Sequence, residues 1–359
     1  MQTKVKKLDF TGQTIYAGID VHKKEFNVTL LGENIFLKNF TQPPEAKVLA
    51  HYLQKNYPGA KYQVAYEAGF SGFWLQEQLA SMGMDCMVTN AADIPTKDKD
   101  KKQKQDKRDS RKIAYALRNN DLEAIYVPSK ACQLDRALLR ARYAIRGNLA
   151  RCKNRVKSML FFFGIHWPQE FENQRGYWSR AFIKWLEKVS LGNHSGNTAL
   201  RIYIKEAQFL RQLLLEITRE ITKLSNDDRY IKQVKLLISV PGIGRLSAMV
   251  LLTELGNINR FNAFDDLCNY VGLIPNMHSS GEKENIGPMT KRGNGRLKKT
   301  LIESAWVAVR TDPALTLKFN ELCLKMKATK AIIRITRKLL RRIRYVLKHE
   351  IEYQIAVVS

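Results

Sequence analysis

The run TIYAGIDVHKKEFNVTLLGENIFLKNF, residues 14–40, contains three short apolar segments separated by polar residues. Apolar residues alternate or cluster within each segment, whereas residues 22–24 and 32–34 interrupt them. This pattern predicts three sequential strands joined by short turns.

The segments that follow alternate between helical and strand-like patterns. Residues 47–57 and 73–83 have helical spacing, while residues 62–69 (YQVAYEAG) and 85–90 are strand-like apolar runs. Residues 106–117 return to helical spacing. Three strands in succession, followed by alternating helices and strands, predict an α/β layer with a mixed sheet. This is the element order of a ribonuclease-H-like fold.

From about residue 129 the pattern changes to long helices. Apolar residues recur at steps of three and four from Leu134 to Phe163 and again from Tyr203 to Leu224. Such stripes fit either an antiparallel helical hairpin that buries its own apolar face or a coiled coil between subunits.

A third section begins near residue 229. There Pro-Gly-Ile-Gly, residues 241–244, lies between two apolar helical runs, which is the pattern of a helix-hairpin-helix. Gly242 and Gly244 would let the backbone turn tightly and present amides to a phosphate, although the same tetrapeptide also occurs as a plain interhelical turn. The predicted division is an α/β domain (1–128), a helical coiled-coil connector (129–228) and a mainly α C-terminal domain (229–359).

The chain is strongly basic. Its 359 residues include 60 Lys or Arg against 34 Asp or Glu, which gives a net charge of +26 and a pI near 9.9. This excess is typical of proteins that bind a phosphate backbone. Ten of the cations, and no acid, lie in residues 325–348, where helical spacing predicts one packed face and one face for DNA or RNA.

Several other classes of protein fit this sequence poorly. No apolar run approaches the ~20 residues that span a bilayer, and the basic N-terminus is not followed by the apolar segment of a secretory leader. We therefore expect a cytoplasmic protein without a membrane partner. The five cysteines are scattered without zinc-ligand spacing, so we expect reduced and mostly buried thiols.

Four acids follow the predicted elements of the α/β domain. Asp20 ends the first strand, Glu67 ends the fourth, and Asp106 and Asp109 open the helix after the fifth, on one helical face. Taken singly, each has a structural alternative as a cap, an ion-pair partner or a first-turn acid. Together they favour a site for Mg²⁺, which prefers oxygen ligands, and metal-assisted phosphodiester chemistry.

A second candidate site lies in residues 270–300, a glycine-rich segment. After Glu284 it has no acid and five cations, namely Lys291, Arg292, Arg296, Lys298 and Lys299. The glycines permit close backbone approach to a ligand and the cations supply phosphate contacts. Ser279 or Ser280 could act as a nucleophile, but no Ser-His-Asp pattern accompanies them and serine-glycine loops are commonly only turns.

Seven motifs in order resemble the DEDD transposases of the IS110 group, which are insertion-sequence recombinases guided by a bridge RNA and related to the pilin-gene invertase Piv. They are YAGIDVHKKEFNV (16–28), YEAG (66–69), DKRDSRKIAYALR (106–118), SVPGIGRLSAMVLLTELG (239–256), FNAFDDLCNYVGLIP (261–275), SSGEK (279–283) and KRGNGRLKKTLIESAW (291–306). The resemblance runs from about residue 14 to about residue 345.

The resemblance implies a RuvC-like N-terminal domain, a coiled-coil connector and a C-terminal transposase domain. It implies that Asp20, Glu67, Asp106 and Asp109 bind Mg²⁺, and that Ser280 attacks the DNA phosphate to form a covalent phosphoserine. It also implies a homo-oligomer, a dimer or tetramer, in which the acids of one subunit complete a site with the serine of another. Its partners would be donor DNA, target DNA and a non-coding bridge RNA.

Three features depart from the group's pattern, and one of them is a connector that is longer than expected around residues 165–185. Gly69 replaces the usual threonine after the glutamate motif, and the serine doublet leaves Ser279 as an alternative nucleophile. Two other functions also fit parts of the sequence. A RuvC-like junction-resolving nuclease would need only the four acids, and a non-enzymatic nucleic-acid-binding protein would need only the charge and the helical hairpin.

Overall fold

The computed structural model of the protein describes residues 9–94, 106–172, 178–280, 283–290 and 292–355. The side chains of residues 106, 107, 276–280, 283–286 and 288 lie outside this description. The chain up to Val127 and the chain from Pro128 onward form two compact units. The predicted further boundary at residue 228 stays a prediction.

The first unit is built on a five-stranded mixed sheet in the order β3-β2-β1-β4-β5. The strands are β1 (Thr14–Val21), β2 (Phe26–Leu31), β3 (Phe36–Gln42), β4 (Lys61–Glu67) and β5 (Asp85–Thr89). Strand β1 pairs antiparallel with β2 and parallel with β4, so the two strand senses meet at β1. The predicted α/β unit with a mixed sheet is confirmed.

Helices cover both faces of this sheet. Helices α1 (Ala46–Asn56) and α2 (Trp74–Ser81) pack on the face where β1 contributes Ile15, Ala17 and Ile19. Helix α3 (Asp106–Arg118) packs on the other face. Because successive strand residues point to opposite faces, the alternate positions of β1 belong to the α3 side.

Helix α3 lies against β1 at a glycine. A Cβ placed on Gly18 would overlap backbone atoms of Ser110 and Ala114 in α3. Only a residue without a side chain therefore allows the helix to approach the sheet this closely. The approach brings the first turns of α3 beside the end of β1.

The second unit is mainly helical. Its long helices are α4 (Lys130–Phe162) and α6 (His194–Leu224), with α5 (Arg180–Lys188) between them in the sequence. The elements that follow are α7 (Ile231–Ile238), α8 (Arg245–Leu255), α9 (Phe264–Val271), β6 (Pro275–Ser280), β7 (Lys283–Met289), α10 (Gly295–Thr311), α11 (Pro313–Cys323) and α12 (Ala328–His349). The mainly helical character expected of this part of the chain is confirmed.

Helices α4 and α6 form an antiparallel pair. Arg142 Nε donates to Thr218 Oγ1 (2.9 Å), and the Cys152 thiol donates to the carbonyl of Tyr203 (3.3 Å). The residue numbers rise along one helix as they fall along the other, which defines the antiparallel sense. The apolar stripe of α6 is buried inside the chain at such positions as Ala207. A coiled coil between subunits stays a prediction.

The sequence interpretation was wrong about the ends of α4. Leu134 and Phe163, expected in the buried stripe, are 63% and 52% exposed, and Phe161 and Phe162 are exposed as well. Leu160 is buried in their place. The steps from Leu134 to Phe163 average about 3.6 residues, which is the period of an α-helix. The exposure of the two ends therefore depends on which elements face them, and not on the spacing of the stripe.

The five cysteines are free thiols, and Cys86, Cys152 and Cys268 are buried. Burial raises the pKa of Cys152 to about 11, so this thiol is protonated near neutral pH. The expectation of unpaired cysteines is confirmed. Within the described part of the chain, no helix has the length and hydropathy of a membrane span.

Candidate functional site

Asp20 and Glu67 end two neighbouring parallel strands. Ile19 of β1 pairs with Tyr66 of β4, so the next residue of each strand, Asp20 and Glu67, lies at the same edge of the sheet. Ile19 and Tyr66 are fully buried in the α1/α2 core. By alternation, the two acids belong to the face that α3 covers.

The other two acids of the predicted site lie on α3. Asp106 is its first residue, and its side chain is outside the description. Asp109 is part-buried, and its Oδ1 lies 3.2 Å from Lys112 Nζ. The structure therefore brings Asp20, Glu67 and the first turn of α3 to one end of one sheet face.

The acids of this site whose side chains the structure describes, Asp20, Glu67 and Asp109, do not close around a common point. Among the side chains that the structure describes, no group of three His, Cys, Asp or Glu is placed to hold a metal ion together. Asp20 instead has His22 as a neighbour, with Oδ2 and Nε2 3.2 Å apart. The sequence pattern indicates only that His22 interrupts two strands, and its position two residues after Asp20 is the signal for this contact.

A buried polar cluster beneath the acids was missed by the sequence analysis. Ser110 Oγ donates to Asn27 Oδ1 (2.6 Å) and lies 2.9 Å from Thr29 Oγ1. Asn39 Nδ2 donates to the same Thr29 oxygen at 2.7 Å. Polar residues at alternate positions of an otherwise apolar strand, FNVTLL, were the signal that could have indicated it.

This cluster connects the elements that carry the acids. Asn27 is paired directly with Asp20 across the β1–β2 ladder. Ser110 follows Asp109 in α3 and is fully buried. Because buried polar groups are costly unless they are hydrogen-bonded, these bonds hold α3 in one position relative to the strands.

In the second unit, the predicted serine lies at the end of a strand. Ser279 and Ser280 are the last two residues of β6, and Ser280 pairs with Lys283 of β7. The side chains of both serines are outside the description. The structure thus gives the backbone position of the predicted nucleophile.

Two glycines that flank the β6–β7 hairpin in the sequence contact each other. Gly272 and Gly293 both have positive φ, 82° and 102°, and a Cβ on Gly293 would overlap the backbone of Gly272. A side chain at either position would separate the start of the hairpin from its end. This contact holds the two ends of the serine-bearing hairpin together.

Next to the hairpin, Glu254 is a buried carboxylate with several donors. It is 2% exposed and accepts Arg140 Nε and Nη2 at 2.9 and 3.0 Å and Asn294 Nδ2 at 2.9 Å. Burial alone would raise the pKa of Glu254, but these hydrogen bonds and the charges of Arg140 and Arg136 outweigh it and lower the pKa. Asn294 also caps α10, so the network fixes the start of that helix.

The predicted basic residues follow this cap. Arg292, Arg296 and Lys299 are exposed, whereas Lys298 Nζ donates to the carbonyl of Thr290 at 2.9 Å. Lys291 lies outside the described residues. The bond from Lys298 stabilises the segment that follows β7. Phosphate binding by the exposed cations stays a prediction.

An exposed tyrosine joins this basic surface. The guanidinium of Arg296 and the ammonium of Lys299 lie 5.6 and 5.9 Å from the ring centroid of Tyr143 in α4. Tyr143 is 44% exposed. Aromatic rings among cations are common in surfaces that bind nucleic acids. No local sequence pattern indicates this contact, because Tyr143 lies about 150 residues before Arg296 and Lys299 in the chain.

The Pro-Gly-Ile-Gly turn connects α7 and α8, as expected. Gly242 has a φ of 84°, and a Cβ there would overlap the carbonyl of Ser304 in α10. Gly244 is the N-cap of α8 and has open space around it. The structure assigns Gly242 a packing role against α10, while phosphate binding by Gly242 and Gly244 stays a prediction.

Comparison with protein families agrees with this architecture. Residues 234–320 match the family described as Transposase IS116/IS110/IS902 family. Residues 17–164 match the transposase domain of the DEDD type from IS110 elements. The second range runs from within β1 through α3 and therefore includes all four predicted acids.

Named relatives cover larger parts of the chain. The transposase of insertion sequence element IS1533 from Leptospira borgpetersenii is 24% identical over 303 residues, which are 81% of this chain and 84% of that protein. The Sinorhizobium fredii protein y4qE, named as a transposase, is 28% identical over 243 residues, which are 67% of this chain and 57% of that protein. The transposase of element IS1328 from Yersinia enterocolitica is 28% identical over 210 residues, covering 58% of this chain and 59% of its own.

The sheet with acids at its edge, the helical remainder, and the matches to both halves of the chain all agree. The chain belongs to the IS116/IS110/IS902 family of transposases, with an N-terminal domain of the DEDD type.

Proposed function

We propose that this protein is a bridge-RNA-guided, Mg²⁺-dependent DNA transposase that exchanges strands through a covalent phosphoserine at Ser280. The observation that carries the proposal is the arrangement of Asp20 and Glu67 at one sheet edge, on the face where α3 begins with Asp106 and Asp109. The common edge of β1 and β4 and the start of α3 support a shared site, because acids from distant parts of the sequence belong to one end of one sheet face.

The four acids are suited to a hard divalent cation. Their carboxylate oxygens are the donors that Mg²⁺ prefers, and neighbouring carboxylates repel one another unless a cation or proton neutralises them. When bound, Mg²⁺ would supply Lewis-acid stabilisation of the charge on a reacting phosphate. The chain's own contribution is to hold the acids in place, which the cluster around Ser110 supports.

The proposed serine step conserves the phosphodiester. The Ser280 oxygen forms a bond to phosphorus, the bond from phosphorus to one sugar oxygen breaks, and that oxygen leaves as a hydroxyl after taking a proton. A hydroxyl of the exchanged strand then attacks the phosphoserine, and the serine is released with its proton. No energy-rich cofactor is needed, because one phosphate ester replaces another.

Nucleic-acid partners are supported by charge. The surface of Arg292, Arg296 and Lys299 beside Tyr143 lies at the start of α10, next to the end of the serine-bearing hairpin. We propose that it binds the backbone of donor or target DNA. Recognition of sequence would be delegated to a bridge RNA that pairs with both DNAs, so the protein would need mainly backbone contacts.

A homo-oligomer is supported by exposed apolar side chains on the long helices. Ile202 and Phe209 of α6, one heptad apart, are 58% and 59% exposed. Phe161, Phe162 and Phe163 at the end of α4 are exposed together. Apolar surface of this kind is commonly buried by a partner. We propose a dimer or tetramer in which the acids of one subunit act with the serine of another.

One comparison tests the reaction. Wild type, Ser280→Ala and Asp106→Asn are each given a supercoiled plasmid that carries the element's ends, together with the element's RNA, and recombinant joints are measured. The proposal expects loss of strand exchange in both variants, and Ser279→Ala should remain active. Exchange by Ser280→Ala would disprove the serine mechanism, and cleavage without joining would favour a junction-resolving nuclease.

A second comparison tests the guide. The same plasmid is incubated without the RNA, and with an RNA whose target-pairing segment is altered. The proposal expects no recombination in the first case and recombination at the altered target in the second. A non-enzymatic nucleic-acid-binding role would be favoured by a different result. In that case wild type, Ser280→Ala and Asp106→Asn would bind the plasmid equally and leave it unchanged.

A further inference from the structure

A cleft of about 380 Å³ lies between α9 and α12 in the second unit. Its lining consists of one aromatic and five cationic side chains: Phe264, Arg334, Arg337, Lys338, Arg341 and Arg342. No acid is among the described residues of the lining. The family matches end before α12, at residue 320, so they assign this cleft no role.

Two of the cations are held by the protein itself. Arg342 Nη1 donates to the buried carboxylate of Asp312 at 2.8 Å. Arg337 donates to the carbonyl of Leu273 at 2.9 Å and to Asp265 Oδ1 at 3.0 Å. These bonds fix two side chains of the cleft and leave less of their charge for a ligand.

The other three cations form no such bond with a described residue, and Lys338 only adds its charge to the bond from Lys318 that lowers the pKa of Glu321. Arg334, Lys338 and Arg341 are exposed, and no described residue forms an ion pair or a hydrogen bond with their charged groups. They lie on α12 at spacings of four and three, so they share one face of the helix. Like charges this close repel one another unless an anion lies between them, so the cleft favours a polyanion.

The aromatic residue makes the cleft more specific than a basic patch. The guanidinium groups of Arg341 and Arg337 lie 4.7 and 5.8 Å from the ring centroid of Phe264. Stacked rings and guanidinium planes offer flat surfaces for an unpaired base, while the neighbouring cations can meet the phosphates on either side of it. A duplex keeps its bases stacked inside and cannot use the flat surface.

We propose that the α9/α12 cleft binds a single-stranded segment of nucleic acid, with one base stacked against the Phe264 and Arg341 surface and the adjoining phosphates at Arg334 and Lys338. The inference shares with the proposed function only its nucleic-acid partner. It requires neither the four acids nor Ser280, so a failure of the reaction mechanism would leave it standing.

Binding of the full-length protein to labelled oligonucleotides tests this site. The probes are oligo(U), oligo(dT) and a mixed-sequence duplex, each about 20 nucleotides long, which is longer than common single-strand sites. Binding is measured in EDTA, so that neither the acids' metal nor the reaction contributes. The oligo(U) and oligo(dT) arms distinguish RNA from DNA as the source of the strand.

Two triple variants remove the same charge from different places. The cleft variant is Arg334→Gln with Lys338→Gln and Arg341→Gln. The control is Lys327→Gln with Lys330→Gln and Lys348→Gln, which changes exposed residues of α12 or its N-cap outside the cleft lining. All six positions are exposed, so both variants are expected to fold, and circular dichroism verifies it.

The proposal expects a larger loss for the cleft variant on a single strand. Its affinity should fall at least about tenfold more than that of the control, and its log-log salt slope should decrease by about 1.4, since the two phosphate contacts at Arg334 and Lys338 contribute roughly 0.7 each. Equal losses for the two triple variants would overturn the site. So would an equal loss by the cleft variant on the duplex, because the flat surface would then have no role.

A substitution at Phe264 tests the stacked base separately from the charge. Phe264→Leu keeps an apolar side chain but removes the ring, and it should weaken single-strand binding by about tenfold with little change in salt slope. Phe264→Tyr keeps the ring and should bind like wild type. If Phe264→Leu binds as wild type does, or if polyglutamate competes as well as an unlabelled strand, the proposal is wrong.

Discussion

Asn294 donates a 2.9 Å hydrogen bond to the buried carboxylate of Glu254, forty residues before it, and caps α10 with its other amide atom. Two arginines of α4 meet the same carboxylate, at 2.9 Å for Arg140 and 3.7 Å for Arg136. One acid therefore connects α4, α8 and the start of α10, where the predicted basic surface lies. Its removal should affect stability and DNA contact together.

We expect Glu254→Gln to destabilise the second unit by about 2 kcal/mol, because the largely buried Arg136 loses its counter-charge, whereas the loss at Arg140, which is 43% exposed, is screened by solvent. Urea unfolding followed by tryptophan fluorescence measures this. Glu303→Gln is a matched control, since Glu303 is 52% exposed and its carboxylate lies 3.8 Å from Arg146, near the limit for an ion pair. A surface pair of this kind contributes at most about 1 kcal/mol. Similar losses in the two variants would contradict the role given to Glu254.

Glu254 also predicts a pH dependence. Its pKa in the folded protein is below the ordinary value of 4.5, so the unfolded chain takes up the proton first as pH falls. The stability that Glu254 contributes is complete above about pH 5 and is lost as pH falls through the folded pKa. The difference between wild type and Glu254→Gln should therefore shrink in unfolding curves at pH below 4.5. A difference that stays constant would show that the charge is not responsible.

Gly18→Ala should destabilise the first unit, because the new methyl group would meet the backbone of α3 at Ser110 and Ala114. Backbone cannot rotate away as a side chain can, so we expect a loss of about 2 kcal/mol or more. Gly69→Ala is the control, since its Cβ would have open space. Thermal unfolding should show a lower midpoint for the first variant and little change for the second. Equal midpoints would mean that α3 does not pack this closely.

Ser110→Ala should change the Mg²⁺ requirement of strand exchange more than it changes the stability of the first unit. The change removes a donor to Asn27 and a contact with Thr29 and should cost about 1 kcal/mol. Because Asn27 is paired with Asp20, loosening it should raise the Mg²⁺ concentration needed for half-maximal strand exchange. Ser81→Ala, an exposed serine of α2, should leave the Mg²⁺ curve unchanged. If Ser110 had only a structural role, Ser110→Ala would lower the unfolding midpoint and leave the Mg²⁺ dependence of strand exchange unchanged.

Mg²⁺ should stabilise the protein by binding the proposed acids. Any ion that binds only the folded state raises the unfolding temperature with its concentration. We expect this rise in wild type and its loss in Asp20→Asn, measured without DNA or RNA. Asp121→Asn, an exposed acid beyond the other end of α3, should keep the rise. A rise of equal size in Asp20→Asn would place the bound ion elsewhere.

The first unit shows how much local pattern determines. Apolar runs of strand length predicted β1 to β5, and the acids at the ends of two runs were recognisable because their neighbours are apolar. The period of two along a strand also determines which face each side chain occupies, so Asp20 and Glu67 could be assigned to one face once the strands were paired. The overall charge, and the basic face of α12, likewise depend on composition and helical period alone.

Relationships between distant residues needed the tertiary structure. The sequence holds no signal that Glu254 meets Arg140 and Asn294, that Ser110 meets Asn27, or that Phe264 lies against α12, because each contact joins separate elements. The exposure of Phe161 was also visible only in the tertiary structure, since whether an apolar residue is buried depends on where the facing helix lies. Local periodicity determined the elements and the candidate acids of this transposase. Tertiary packing decided which polar groups are buried together and where a cleft opens, because these depend on three-dimensional proximity.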